Sequence, residues 1–562
     1  MNDLKAQFPP SDRRWFLFAF LTAFTFAVFT DHVWEDYFIT YRASKNLATG
    51  KGLVFTEGQR VHSFTSPLGV LIPAACSAAT FNSSDTAALW LFRLISCGFL
   101  GLTTVLLRRL AQKTGWSDRA TLLLVLLFIF DAKTVDFSIN GMETSLLVFF
   151  LALTLVALEA QTEDGWKLLG CAWAGLMWTR PDSFIYIGVL AAGYVMFSNR
   201  LKEFIRGRGL FQTYWKAALL TSALYLPWLL WAWSYYGSPV PHTVVAKGLG
   251  GTMGGLAAKM GAVLHYPMDI LAGTSSMAGA YSPAYYNLGP WPAPVVILGS
   301  LLPAIPAVYW MFPGGGRLAR TGSLCFFLFH LYLSRFMAFP FPWYYPGASM
   351  LGLLAVAELF QRAENFKGST CPAVGEPLCR VLRGTAQASA IVVVVCGLVA
   401  FGSVAVQMRQ QQQIIELGVR KKIGLWLREN SSSRTDTVFL EPLGYIGYYS
   451  QLKMYDWPGL SSPEVIEARR SKGLHNFVDI RLVEVLKPDW LVLRPSEYTQ
   501  PLKNGQSELS TRYKPAMVFD ATAEVDRLDY IPGRQYLLYD SRFVVFKRTT
   551  VKAGAAGPGP VN

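Results

Sequence analysis

Two acids, Glu35 and Asp36, stand side by side in "WEDYFITYRASKNLATGKGLVF", just beyond an apolar run from Trp15 to Thr30. Carboxylates at such a boundary are costly unless they are wet, paired or put to use. The plain use would be to sit in a headgroup layer and stabilise the start of the next helix. The neighbouring residues add chemistry. Tyr37 to Leu47 has helical spacing, which sets Arg42 and Lys45 on a short amphipathic helix beside the acids. That helix is expected to lie along a membrane surface with its basic face toward lipid phosphates. Acid, base and aromatic groups together suit a site handling a phosphate-linked polar substrate at a lipid surface.

Other reactive types recur in segments between apolar runs: His62 in "GQRVHSFTSPLG", Glu143 in "NGMETS", Arg180 and Asp182 in "TRPDS", His242 and Lys247 in "YYGSPVPHTVVAK", and Arg335. "FPFPWYYPG" adds Trp343, Tyr344 and Tyr345. Each has a plainer role beside the functional one. Arg180 and Asp182 can form a local ion pair at a helix end, and Glu143 reads as a cap for the helix after it. His62 reads as structural, and Asp136 as a solvated helix-end residue. The aromatic trio suits an interfacial belt or stacking on sugar rings. There is no HExxH, no Cys/His cluster and no DxD between apolar strands, so no metal site or cofactor is predicted. The acidic pair alone leaves a divalent cation open. No Walker or dinucleotide glycine motif points to a soluble nucleotide.

The elements that must hold these residues are apolar. Of 562 residues, 52% are hydrophobic and 16% charged, against about 25% charged in soluble domains. The net charge of +14 does not imply nucleic acid, because the basic residues sit in short clusters between apolar runs, the pattern that sets membrane topology. Candidate spans are 15–31, 87–107, 120–137, 143–160, 166–179, 183–198, 216–235, 291–311, 321–339, 345–361 and 386–406, about eleven transmembrane helices in all. Those at 166–179 and 183–198 are short enough to be broken or re-entrant. Ser66 to Phe81 begins with Ser-Pro and reads as interfacial. The first run lacks a small-x-small cleavage site and reads as a retained helix.

Arg13/Arg14, Arg108/Arg109/Lys113/Arg119, Arg200/Lys202/Arg206/Arg208, Arg317/Arg320 and Arg362/Lys367/Arg380/Arg383 then fall on one side, the cytoplasm. The N-terminus is inside, and everything past about residue 407 is outside, in a multi-pass protein of the cell (inner or plasma) membrane. A first outward loop at about 31–86 is rich in charge and aromatics; a second runs from Tyr236 to about Pro290. Loops this decorated carry function more often than connection alone. Cys371 and Cys379 have the wrong spacing for a zinc knuckle, and no disulfide or metal framework is predicted.

Residues 1–406 thus read as a transmembrane domain and 407–550 as an extracytoplasmic α/β domain. "DTVFLEPLGYIGYYS" and "PDWLVLRPSEY" are strand-like, and "RQYLLYDSRFVVFKR" resembles a closing pair of strands. "SSPEVIEARR" is a helix with a Ser cap and Pro in its first turn. The tail at 551–562 reads as disordered.

An acidic pair after the first helix resembles the GT-C class of membrane glycosyltransferases, which use polyprenyl-phosphate sugars. The run "EDYFITYRASKNLATGKGLVFTEGQRVHSFTSPLG" is particularly similar to mycobacterial arabinofuranosyltransferase B and its bacterial relatives. "GMETSLL", "TRPDSFIY", "YYGSPVPHTVVAK", "FPWYYPG" and "LGYIGYYS…YDWPGL" follow in order, from Glu35 to about Arg548. Where such relatives begin the motif with two aspartates, this chain has Glu35 then Asp36. The resemblance implies transfer of a sugar from a polyprenyl-phosphate donor to a cell-envelope glycan or lipid acceptor on the outer face, by inverting single displacement. Asp36 would be the general base, with Glu35 orienting or sharing the role. Arg42, Lys45, His62, Arg180, His242, Lys247 and Arg335, with Asp182 and Tyr344, would meet donor phosphate or sugar. The C-terminal domain would hold the acceptor glycan. A lipid-sugar transporter and a non-catalytic scaffold, the role associated with a relative in flagellar motor control, are the rival readings. A transporter should show midplane ionisable residues or broken helices and an internal repeat; the acids instead gather at one outer face.

Overall fold

A computed structural model describes residues 9–549 apart from 161, 199, 249–255, 338, 367–375, 475–479 and 504–506. The predicted tail at 551–562, Lys367 and Cys371 lie outside the described residues. A helix stands at each of the expected spans. The first, Pro10–Thr30, opens with Pro in its first turn and ends at Asp31, whose left-handed backbone returns its N–H to Ala27. Ser84, Ser117 and Asp131 open Asp85–Lys113, Asp118–Ile129 and Ala132–Ile139, each accepting a backbone N–H of the first turn.

Among the described residues, five helices are long and apolar enough to cross a membrane alone: Pro10–Thr30, Asp85–Lys113, Leu210–Tyr236, Ala293–Met311 and Pro377–Asn430. Ala132–Ile139 and Thr144–Glu159, bent by 119°, make a further candidate as a pair. Gly165–Thr179 and Phe184–Phe197, with 15 and 14 residues, fall short of the ~20 needed for a straight crossing. Both agree with the short spans expected at 166–179 and 183–198. Leu17, Leu21, Leu219, Leu230, Ile391 and Val395 turn outward on the long helices, forming apolar faces that a bilayer would cover.

The two ends of the bundle are chemically distinct. At one, buried Asp12 pairs with Arg108 and Arg109, Arg317 with Glu159 at 2.6 Å, and Arg119 with Glu364 at 2.8 Å. These belong to the basic clusters expected on one side. At the other, Arg93 meets Asp31 at 2.6 Å, and His32 meets Asp136 at 2.8 Å. Asp136 is therefore not a solvated end residue; it is 2% exposed, because the bend at 140–143 folds its turn inward.

Past Asn430 the chain forms a five-stranded sheet of order β2-β1-β3-β5-β4. The strands are β1 Thr437–Leu440, β2 Lys453–Asp456, β3 Trp490–Leu493, β4 Tyr513–Asp520 and β5 Arg542–Arg548. β2 and β3 run parallel to β1, while β5 is antiparallel to β3 and β4. The expected closing pair of strands is replaced by the helix Arg534–Tyr539 followed by β5. On the side away from β3, β5 pairs with β4, an edge strand with a register shift between Pro515 and Met517. Proline interrupts the alternation by which a strand is read. Pro463–Ser471 is helical as predicted, with Pro in its first turn, but Ser462 makes no side-chain cap; its hydroxyl bonds Met454 and Asp456 instead.

Candidate functional site

The acids open the helix Glu35–Ala48, and the short link from the first span is pinned. The Trp34 N–H donates to Asn140 at 2.9 Å, in the bend between Ala132–Ile139 and Thr144–Glu159. Gly141 makes that approach possible: its φ is +102°, and a Cβ there would run into the Tyr37 ring.

Successive helical residues point about 100° apart, yet the side chains of the two acids stay within hydrogen-bond reach of each other. The Glu35 carboxylate accepts the Gly444 N–H from the sheet region. Asp36 lines a cleft with Glu143, Arg180, Thr243, Lys247 and Tyr344 on its walls. Loss of water raises the pKa of both acids. For Glu35 the Asp36 charge adds to the rise while Arg420 opposes it; for Asp36, Lys247 opposes it first.

Arg180 gives the cleft a fixed wall. Its Nε and Nη2 donate to the two Asp182 oxygens, each at 3.1 Å. Nη1 reaches Glu143 at 3.3 Å, and the guanidinium lies 4.4 Å from the Tyr344 ring centroid. Glu143 is accordingly no helix cap: it makes no capping bond and faces the cleft. Lys247, on the helix His242–Gly248, donates to the Tyr344 hydroxyl at 3.4 Å. Among the described residues it makes no ion pair. Ser63 and Thr243 add hydroxyls that line the cleft and are buried without a partner. Trp343 is stacked 4.4 Å from Phe341 and also lines the cleft, whereas the Tyr345 hydroxyl turns back to Pro340.

Of the residues singled out from sequence, Asp36, Arg180, Asp182, Lys247 and Tyr344 come together here, with Glu35 behind Asp36. The others do not. Arg42 is buried, donates to the carbonyls of Gly447 and Leu452, and lies 4.3 Å from the Phe55 ring centroid; it ties the acid helix to the sheet region rather than facing a lipid surface. Lys45 pairs with Asp85 at 2.9 Å. His62 stacks on Tyr236 at 4.5 Å, and burial lowers its pKa to about 4, so it is neutral. His242 lines a separate open groove beside Pro463 and Glu467. Arg335 pairs with Asp269. Sequence reasoning passed over Ser63 and Thr243, although both lie in segments already singled out, and it assigned Glu143 the wrong local role.

Residues 405–543 match a family described as a domain of unknown function (DUF8728). The terminal beta-(1->2)-arabinofuranosyltransferase of Corynebacterium glutamicum is 27% identical over 245 residues, covering 38% of this chain and 32% of that protein. The same enzyme of Mycobacterium tuberculosis is 28% identical over 233 residues, covering 39% and 35%. The chain thus spans about a third of the length of these curated relatives. Crystal structures of ArnT from Cupriavidus metallidurans superpose with TM-scores of 0.52, bound to undecaprenyl phosphate, and 0.51 in the apo state. Identity is 13% and 12%; the superpositions cover 97% and 92% of this chain and 98% and 93% of ArnT. The fold is therefore that of ArnT, with several helices long and apolar enough to cross a membrane, and over about two fifths of its length the chain is similar to the arabinofuranosyltransferases.

Proposed function

We propose that this protein is a membrane glycosyltransferase that moves a sugar from a polyprenyl-phosphate donor to a cell-envelope glycan or lipid acceptor at the outer face of the cell membrane. The observation that carries the reading is the cleft in which Asp36 faces Arg180, Lys247 and Tyr344. An acceptor hydroxyl is a poor nucleophile and must lose its proton as the new bond forms; Asp36 takes it. The glycosidic bond to phosphate breaks on the opposite face of the sugar, inverting the anomeric centre, and the electron pair leaves with the lipid phosphate. That charge needs a cation. Arg180 is already matched by Glu143 and Asp182, so its charge is largely spent within the protein. Lys247, held by a neutral hydroxyl, is the cation left to meet the phosphate. The paired Arg180 then acts as the rigid wall that holds Tyr344 under it.

The distribution of charge supports the orientation. The excess of basic residues at the end bearing Asp12, Arg108, Arg109 and Arg317 is what a cytoplasmic end carries, in keeping with acids and sheet on the outer side. The sheet region borders the cleft through Leu460, in keeping with an acceptor held on that side. The similarity to arabinofuranosyltransferases and the ArnT-like fold support a lipid-linked sugar donor. The test is transfer from a panel of polyprenyl-phosphate sugars by purified protein and its Asp36→Asn variant. Labelled sugar should leave the lipid with wild type and not with the variant. Equal turnover by both would remove Asp36 from the mechanism; no turnover of any donor by either folded protein would defeat the transferase reading.

A further inference from the structure

Nothing local caps the acid helix. Its first flanking residue, Trp34, makes no side-chain capping bond, yet the backbone just before the acids is held from the far end of the chain. The Val33 N–H donates to Gln412 Oε1 at 3.0 Å. The Tyr445 hydroxyl contacts Gln412 at 3.2 and 3.3 Å and reaches the Val33 carbonyl at 3.4 Å. Gln412 and Tyr445 are 4% and 1% exposed, so the bonds are made away from water, where an orphaned N–H is expensive.

Gln412 sits in a stretch with unusual backbone. Residues Gln411–Arg420 are π-helical, inserted between the long span Glu376–Gln410 and the helix Lys421–Asn430. Such wide turns are rare and concentrate at functional places. Here the wide turn buries a polar set. Gln411 donates to Glu416 at 2.9 Å, Arg420 donates to Glu416 at 2.6 Å, and Arg420 also pairs with Asp540. Asp540 in turn holds Arg494, which reaches Glu441 at 2.7 Å. Glu441 stands three residues before Gly444, the donor to Glu35. The polar chain therefore runs from the last span through the sheet and back to the acid pair.

Resting on the reading of Asp36 as base, we infer that Gln412 is a positioning residue for Asp36, and that the π-helical turn carrying it couples the base to the C-terminal sheet. Gln412 touches no substrate; it fixes the height and direction at which the acid helix begins, and so where the Asp36 carboxylate meets the cleft. Arg420, on the same turn, adds the electrostatic half of the device. The charged groups facing the acid pair are Lys247 from His242–Gly248, Glu143 from the bend, Glu441 after β1 and Arg420 from the π turn. Arg420 opposes the rise in pKa of both acids, whereas Glu441 adds to it.

The experiment compares wild type, Asp36→Asn, Gln412→Leu and Gln412→Glu in transfer from a polyprenyl-phosphate sugar, with thermal unfolding of each in detergent. Gln412→Leu removes the acceptor of the Val33 N–H and should lower kcat about ten- to hundredfold, the cost of a small misplacement of a catalytic group, with the donor KM within about twofold. Gln412→Glu restores an acceptor and should recover most of kcat, with the acid limb of its pH profile moved upward by the added negative charge. A folded Gln412→Leu protein with wild-type kcat, beside an inactive Asp36→Asn, would overturn the inference and leave the base reading intact. Full activity of Asp36→Asn would overturn both. If Gln412→Leu does not fold, Tyr445→Phe decides: a lowered kcat at fixed KM supports the coupling, and an unchanged kcat overturns it.

Discussion

The Lys247 ammonium lies 3.4 Å from the Tyr344 hydroxyl, across 97 residues of chain. Two segments with no sequence relation, one a short helix in a long loop and the other an aromatic turn, thus meet at one polar contact over Asp36. A cation held by a neutral hydroxyl keeps its charge available, which separates it from the paired arginine beside it.

Lys247→Met is expected to raise the donor KM about ten- to hundredfold, since a hydrogen bond to a charged group contributes roughly 1.5–3 kcal/mol. Lys247→Arg should recover part of the loss. Steady-state transfer in detergent or liposomes checks this, and an unmoved KM would put the phosphate elsewhere in the cleft.

Arg180→Lys should behave as a severe change. A single ammonium cannot reproduce the fork to Asp182, the bond to Glu143 and the stacking on Tyr344. Leaving a buried carboxylate partly unsatisfied costs roughly 1–3 kcal/mol, so the midpoint of thermal unfolding and the transfer rate should fall together.

The acid pair makes activity and stability run in opposite directions with pH. Burial raises the pKa of Asp36 in the folded protein, and that of Glu35 well above its ordinary value. A base works deprotonated, so transfer should fail at a higher pH than a free carboxylate would dictate as the medium is acidified. For stability the sign reverses. Between the unfolded and folded pKa values the native state holds more protons, so the contribution of these groups is fully present below the unfolded pKa and lost as pH rises through the folded one. Asp36→Asn should therefore be inactive yet melt at a higher temperature than wild type near neutral pH, with the difference shrinking in acid. Melting curves at two pH values test it.

Gly444→Ala is expected to depress transfer by tenfold or more. A methyl group there would press on the Glu35 carbonyl oxygen, and about 1 Å of displacement at a catalytic group can cost a hundredfold. Gly402→Ala, which meets nothing within 4 Å, is the matched control and should leave the rate unchanged.

In the sheet region, Arg494 is 3% exposed and pairs with Asp540, Glu441 and Glu497. Arg494→Met would strand buried carboxylates and should destabilise the protein by roughly 3–5 kcal/mol, read as a lower unfolding midpoint. Arg494→Lys should lose less.

Much of this arrangement was legible in the chain itself. Helix positions could be read because apolar runs are long, and the cleft residues Asp36, Arg180, Lys247 and Tyr344, with Asp182 paired to Arg180, could be found because ionisable groups between such runs are conspicuous. What could not be read was how each charge is matched. Arg42 has the same spacing from Asp36 whether it faces a lipid or, as observed, carbonyls in the sheet region. Glu143 sits where a cap would sit, and only the 119° bend turns it toward Arg180. The span expected at 120–137 was overread, because its apolar run continues through the break at Phe130 and Asp131 that separates Asp118–Ile129 from Ala132–Ile139. β4 was missed because Pro515 and an exposed edge remove the alternation that identifies a strand.

The bond from Val33 to Gln412 also sets an order of events during synthesis. The partners are 379 residues apart, so the ribosome delivers the acids long before it delivers the groups that seat them. The first span can enter the bilayer and the acid helix can form while most of the chain is still unmade. The acid pair is seated only when the last span and the sheet have arrived. A chain stopped short of residue 412 thus carries its acids without the group that holds the backbone before them.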